Sequence, residues 1–286
     1  MRGYALVLIV LLLVGVMGGC ISSGGENSST SRTASRTIPG SAGTSETAPA
    51  STTSSPTETT STTTPQTPSP GQWLSGVHQV EYTSNVTLDL NVTVIQGNFS
   101  QTNALRLRIL TRAYLDFEGR NAIINTTTMS LSDGTSGTTH LLIVNGSMYT
   151  KTLSGWLKVN DSAMSELVWD YNIISLAKRY VNRTPVQRSG NNGLTLVYRI
   201  DSEDLLKMAV TYFSPTQNAE LNVSNGVLEL HFVSGELKWG RISYDASSKA
   251  EVNDPTMGNM TIIQKGRWEG IINVTETNEK IKVEEP

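Results

Sequence analysis

The stretch His78–Val94 reads HQVEYTSNVTLDLNVTV, and its apolar residues Val80, Tyr82, Val86, Leu88, Leu90, Val92 and Val94 all fall on even numbers. Glu81, Thr87, Asp89, Asn91 and Thr93 fall between them. A period of two marks a strand with one face in a core and the other in water. Past a turn signal at Gln96-Gly97-Asn98, the apolar residues Leu105, Leu107, Ile109, Leu115 and Phe117 take odd numbers, with Arg106, Arg108, Arg112 and Asp116 on the other face. The two runs predict a long hairpin. A register that sets Leu88 opposite Leu107 or Ile109 also sets Asp89 opposite Arg106 or Arg108. It therefore buries both apolar faces and pairs acid with base outside.

Working outward, further alternating runs cover Asn121–Ser132, His140–Val144, Ser147–Thr152 and Trp156–Val159, separated by Asp133-Gly134, Asn145-Gly146 and Ser154-Gly155. Such dipeptides are hairpin turns in sequence form. The period then changes. Met164, Leu167, Val168, Tyr171, Ile174, Ala177, Lys178 and Val181 sit at helical spacing behind Asp161 and Ser162, which predicts a helix with a break near Asn172. Gly193–Ile200 reads as a strand, and Asp201-Ser202-Glu203-Asp204 opens a second helix that runs to Tyr212 and stops at Pro215. Strand periodicity resumes from Glu220, with turns expected at Asn225-Gly226, Ser234-Gly235 and Lys265-Gly266. The sum is an α+β domain: a long-stranded antiparallel sheet with a few helices inserted between its halves.

The chain ahead of this domain has a different composition. Arg2 precedes an uncharged apolar run, Tyr4–Gly19, that stops at Gly18-Gly19-Cys20, which is the form of a secretory signal. About sixteen residues at the helical rise span roughly 24 Å, less than the ~30 Å of a hydrocarbon core, so the run suits a cleaved signal better than a permanent span. Cys20 is the sole cysteine and stands where lipoprotein processing would leave it as an acylated N-terminus. The expected organisation is a signal peptide over 1–19, an acylated Cys20 with a disordered stalk over 20–72, and a folded domain over 73–286. In residues 21–72, 27 positions are Ser or Thr and six are Pro, while Leu, Val, Phe, Tyr and Trp are absent, so no core can form there. A mucin-like spacer results, spanning roughly 40 Å as a bare coil and up to about 160 Å as an extended rod. The expected location is outside the cytoplasm, facing outward from a membrane through lipidated Cys20.

A lipobox, a spacer, long up-and-down strands, the segment Leu142–Lys151 followed by Trp156-Leu157-Lys158, then helices, paired strands and a closing Ile281–Pro286 resemble the LolA-like lipoprotein superfamily. That group takes in lipoprotein carriers and mycobacterial glycolipid-binding lipoproteins. The resemblance implies an incomplete β-barrel, in which a strongly curved sheet wraps around helices and an apolar cavity between them holds acyl chains. It supplies no catalytic motif. The stalk and the density of glycosylation signals depart from the bacterial members.

On these grounds Val86, Leu88, Leu90, Leu107, Ile109 and Leu115, with Leu167, Tyr171 and Ile174 from the helices, are candidate cavity-lining residues. A filled core has the same alternation, so a structural or adhesive surface scaffold with a solid core is the alternative. An accessory role in an envelope complex is a third reading, and the sequence names no protein partner. Arg106, Arg108 and Arg112 form a basic row that suits an anionic headgroup, or else a solvated face paired with Glu81 and Asp89. No enzyme motif for a nucleophilic serine, a phosphate loop, a zinc protease or a calcium loop occurs, and Asp116 and Glu118 read as solvated carboxylates beside a turn. Three scattered histidines, His78, His140 and His231, and one cysteine give no expectation of a metal or cofactor. A net charge of −3 argues against nucleic acid.

Asn-X-Ser/Thr triplets occur at Asn27, Asn85, Asn91, Asn98, Asn125, Asn145, Asn160, Asn182, Asn222, Asn259 and Asn273. Residues 73–286 contain 19 Asn and 40 Ser or Thr, which predicts between three and four triplets by chance, and ten are present. The excess points to an N-glycosylated surface. Asn145 at its tight turn is the weakest of them. Intact-mass analysis of the native protein is expected to show added hexose, and a mass equal to that of the bare chain would remove this reading.

Overall fold

The computed structural model describes residues 69–190, 193–214, 216, 218–254 and 258–286. The expected signal, Cys20, Asn27 and the stalk as far as residue 68 lie outside the described residues.

The hairpin forms as the alternation requires. Strand β1 (Gln79–Gln96) pairs with β2 (Phe99–Asp116) in the register that sets Leu88 against Leu107 and Asp89 against Arg106. Gly97, at φ +56°, turns the chain where an L side chain would be strained. Strands β3 (Asn121–Ser130), β4 (Ser136–Val144), β5 (Ser147–Thr152) and β6 (Gly155–Val159) continue the meander. After the helices come β7 (Gln187–Ser189), β8 (Leu194–Arg199), β9 (Glu220–Val233), β10 (Glu236–Asp254) and β11 (Gly258–Thr277). Among the described residues these make one antiparallel sheet of eleven strands in the order β6-β5-β4-β3-β2-β1-β11-β10-β9-β8-β7. The pairing of β1 with β11 joins the two meanders, and β6 and β7 are edges, so the sheet is open and not a closed barrel. Bulges between Glu81 and Tyr82, Leu237 and Trp239, and Ser243 and Asp245 bend two of the pairings, β1 with β11 and β9 with β10.

Four helices are described: α1 (Pro70–Ser75), α2 (Ser162–Asp170), α3 (Ile173–Tyr180) and α4 (Ser202–Phe213). Helix α1 begins inside the expected stalk, three residues before Trp73. Ser69 and Gln72 form a reciprocal capping box around Pro70, and Leu74 is buried. The expected break at Asn172 has a specific cause. Its side-chain oxygen accepts from the N–H groups of Ile174 and Ser175, while its amide nitrogen donates to the carbonyls of Val168 and Trp169. One buried Asn thus caps the end of α2 and the start of α3.

All four helices bury side chains with one face of the sheet. Leu74, Val168, Trp169, Ile173, Ile174, Leu176, Leu205, Met208 and Phe213 share a core with Val86, Leu88, Ile109, Leu115, Leu228 and Ile242. A cross-sheet row runs Ile109, Val86, Gly270, Ile242, Leu228, Tyr198 along this inner face. Glycines let the helices approach it. A Cβ on Gly226 would collide with Leu205 of α4, and one on Gly240 with Ile173 of α3.

Two expected turns are absent, and the same physics explains both. Asn225-Gly226 lies within continuous β9, where Asn225 takes φ +55° and Gly226 receives Leu205. Lys265-Gly266 lies within continuous β11, where Gly266 meets the Asp89 carbonyl of β1 too closely for any side chain. In each case the glycine marks a close approach and not a reversal. The helix from Ser202 forms, but Asp201 at its N-cap makes no side-chain cap bond; its carboxylate pairs with Arg183 instead.

Replacing Gly240 by Val is expected to cost about 1–3 kcal/mol through overpacking against Ile173, with a Tm lower by roughly 2–10 °C. Gly137→Ala, at an exposed strand position with open space around it, should stay within about 0.5 kcal/mol of the parent. Equal melting of both variants would refute the close-approach role.

Candidate functional site

At the end of the sheet that carries the Gly97-Asn98 turn, the inner face sets the small residues Gly266, Ala246, Ala250 and Ser248 among Leu, Val and Ile. One row runs Leu105, Leu90, Gly266, Ala246, Val223, and the next Asn103, Val92, Gln264, Ser248, Leu221. Val94, Ile262 and Ala250 complete the patch. Leu90, Val92, Ala246, Ala250, Ser248 and Gln264 are buried, while Leu105, Val94, Ile262, Leu221 and Val223 at the margins keep part of their surface accessible. The alternation sends the charges of these strands to the opposite face. There Arg106 pairs with Asp89, and Arg267 pairs with Asp245 at 3.1 Å. The result is a neutral, largely apolar inner trough behind a charged outer face.

An aromatic group bounds the trough toward the helices. Tyr244 and Trp268 stack at 5.5 Å between ring centroids, and Tyr212 and Phe213 from the end of α4 lie beside them. Burial pushes the Tyr82, Tyr212 and Tyr244 hydroxyls above the ordinary phenol range.

The cavity-lining candidates divide. Val86, Leu88, Leu90, Ile109, Leu115 and Ile174 lie in the common core at 4 % exposure or less, and Leu107 packs against it partly buried. Leu167 is half-buried. Tyr171 only partly joins that core: it sits at a polar cleft, its ring 5.1 Å from the Arg179 guanidinium. The headgroup candidates are on the outer face. Arg106 pairs with Asp89, Arg112 donates to Glu81 at 2.6 Å, and Arg108 donates to the Asn85 side chain at 3.0 Å. His78 meets Glu118 at 2.9 Å, whereas Asp116 accepts from the Gly119 N–H, so the two carboxylates serve separate local contacts. His140 contacts Asn125, and His231 contacts Thr195 and stacks on Trp239. The triplet asparagines of the described residues, Asn85, Asn91, Asn98, Asn125, Asn145, Asn160, Asn182, Asn222, Asn259 and Asn273, are all exposed.

The polar cleft was not legible in the sequence. It has a volume of about 400 Å³ and is lined by Glu166, Asp170, Tyr171, Arg179, Arg183, Asp201, Glu203 and Asp204. Asp204, in the first turn of α4, is buried. It accepts from the Tyr180 hydroxyl at 2.7 Å and from Arg179, and the Asp201 N–H donates to the Tyr180 oxygen at 2.9 Å. Arg183 lies 4.2 Å over the Tyr180 ring and pairs with Asp201. Each arginine of the cleft is thus already held, and the network ties α3 to the start of α4. Among the described residues no group of three or more metal-ligating side chains gathers.

No protein-family model and no curated protein matches the chain. Solved structures do. LprF from Mycobacterium bovis is 12 % identical, with 76 % of this chain and 93 % of that chain covered at a TM-score of 0.38. A β-barrel-like protein of a domain family of unknown function from Brucella abortus is 9 % identical, covering 70 % and 100 % at 0.22. A domain named for outer membrane lipoprotein sorting from Vibrio parahaemolyticus is 7 % identical, covering 69 % and 87 % at 0.20.

The buried tyrosines set an alkaline limit on stability. Their folded pKa values lie above the unfolded value near 10, so the unfolded chain gives up its phenolic protons first. Stability is fully present below about pH 10 and falls as pH rises further. Absorbance at 295 nm is therefore expected to show the Tyr82, Tyr212 and Tyr244 phenolates appearing together with loss of near-ultraviolet circular dichroism. Ionisation of every tyrosine near pH 10 in a still-folded chain would contradict this.

Proposed function

We propose that this chain is a membrane-anchored, glycosylated extracytoplasmic lipoprotein that holds the apolar chain of a lipid or other amphiphile against the inner face of its sheet, without catalysis. Cys20 carries the anchor, the Ser/Thr/Pro-rich segment is the spacer, and the folded domain is the binding unit. The observation that carries the reading is the neutral inner trough, where the small side chains of Ala246, Ala250 and Ser248 lie beside the partly accessible Leu105, Val94, Ile262, Leu221 and Val223. Burial of an alkyl chain there contributes about 0.8 kcal/mol per methylene. The ten exposed triplet asparagines support the glycosylated exterior.

The solid scaffold remains as a second reading because one specific feature favours it. The inner face is filled under the helices, with Leu88, Ile109, Leu115 and Ile174 at 2 % exposure or less, and Leu90 and Ala250 of the trough are buried to the same degree. The two readings part on lipid content. Residues 21–286, exported behind a cleavable signal and purified without detergent from lipid-containing cells, are expected to carry a lipid adduct of constant mass on each glycoform in native mass spectrometry. A chain that arrives empty and ignores added lipid would favour the scaffold.

A further inference from the structure

Ser248 of β10 and Gln264 of β11 are cross-strand partners on the inner face, each 3 % exposed. Ser248 Oγ and Gln264 Oε1 have no hydrogen-bond partner. The residues set against them carry no polar side chain: Val92 faces Gln264 from β1, Leu221 faces Ser248 from β9, and Ala246, Ala250, Ile262 and Gly266 are the inner-face neighbours along the two strands. A buried polar atom left unpaired costs about 1–3 kcal/mol, so two facing each other call for a third group between or beside them.

The chemistry of the pair limits what that group is. Gln264 Oε1 only accepts, and Ser248 Oγ both donates and accepts. Charge is excluded on both signs. The nearest charged residues in sequence, Lys249, Lys265, Arg267, Asp89 and Asp245, occupy alternate positions on the outer face. An anionic headgroup would find no cation here, and a cation no carboxylate, at the high price of burying an unpaired charge. A hydroxyl fits, donating to Gln264 and accepting from Ser248.

Resting on the reading of the trough as an amphiphile site, we infer that Ser248 and Gln264 form a hydroxyl-recognising subsite, and that the preferred ligand is an uncharged amphiphile with a free hydroxyl close to its apolar chain. The pair accordingly discriminates between lipids that share a chain and differ in their polar group. An alkyl ester without a donor fills the same trough but leaves Gln264 unsatisfied, and a fatty acid brings a charge to a neutral site.

Three probes with one common chain separate these cases: monoolein, methyl oleate and oleate, titrated against residues 21–286 by tryptophan fluorescence. Monoolein is expected to bind roughly tenfold tighter than methyl oleate, equal to about 1.4 kcal/mol, and oleate weakest at pH 8. Gln264→Leu should collapse the monoolein-to-methyl-oleate ratio toward one, and Ser248→Ala, which removes a single buried atom and tests the site should Gln264→Leu not fold, should reduce it. Equal binding of monoolein and methyl oleate by the parent would overturn the subsite while leaving the amphiphile reading in place. Binding of none of the three would overturn both. A rise in Tm for both variants with an unchanged ratio would show that the pair had merely enclosed water, and would likewise overturn the subsite.

Discussion

The structure depends on the alternation of β1 and on the partners it holds on either side. β1 lies at the centre of the sheet, and beyond its bulge at Glu81 the even residues from Val86 to Val92 face the core while Asn85, Asp89 and Asn91 face water. A slip of one residue against β2 or β11 would turn Leu88 and Leu90 outward and carry Asp89 inward. The Asp89 carboxylate, flanked across the strands by Arg106 and Arg267, and the Leu88–Leu107 contact beneath it penalise the same slip from opposite faces. Because β11 and β2 are fixed against β1, the register of the outer strands follows strand by strand toward both edges.

Helices are accommodated in this frame by subtraction. Their core residues come close to the strands because Gly226 and Gly240 have no side chain where Leu205 and Ile173 arrive. Farther along the same strands, Gly266 gives way to the β1 backbone at Asp89, and Ala246 and Ala250 keep the inner face small. Small residues under a helix produce a tight core. Small residues at the far end of the same strands produce the trough on which the proposed function rests.

Polarity is distributed by the same geometry. The basic row of β2 is spent on the outer face, where Arg106 and Arg112 already hold Asp89 and Glu81. The cleft beside α4 is rich in carboxylates, yet its arginines are engaged and its buried Asp204 is satisfied by Tyr180 and Arg179, so it is a fastening between helices. The inner face, by contrast, keeps Ser248 and Gln264 as polar atoms with neither charge nor partner.

The sequence by itself determined the β1–β2 hairpin and its register, the helix break at Asn172, the strand meander and the exposure of the triplet asparagines, because each follows from local period or from a side chain bonding its own backbone. It also marked the residues that enter the core, including Val86, Leu88, Ile109 and Leu115. Only the tertiary structure decided that Gly226 and Gly266 lie within strands, since a glycine required for close approach and one required for a turn are the same residue in sequence. Tyr171 packs against the core only in part, because helical spacing gives a face but not its neighbour, and Arg179 stacks over its ring. The Ser248–Gln264 pair was invisible for the same reason: sixteen residues separate two ordinary polar side chains, and only cross-strand pairing in a buried face makes them a site.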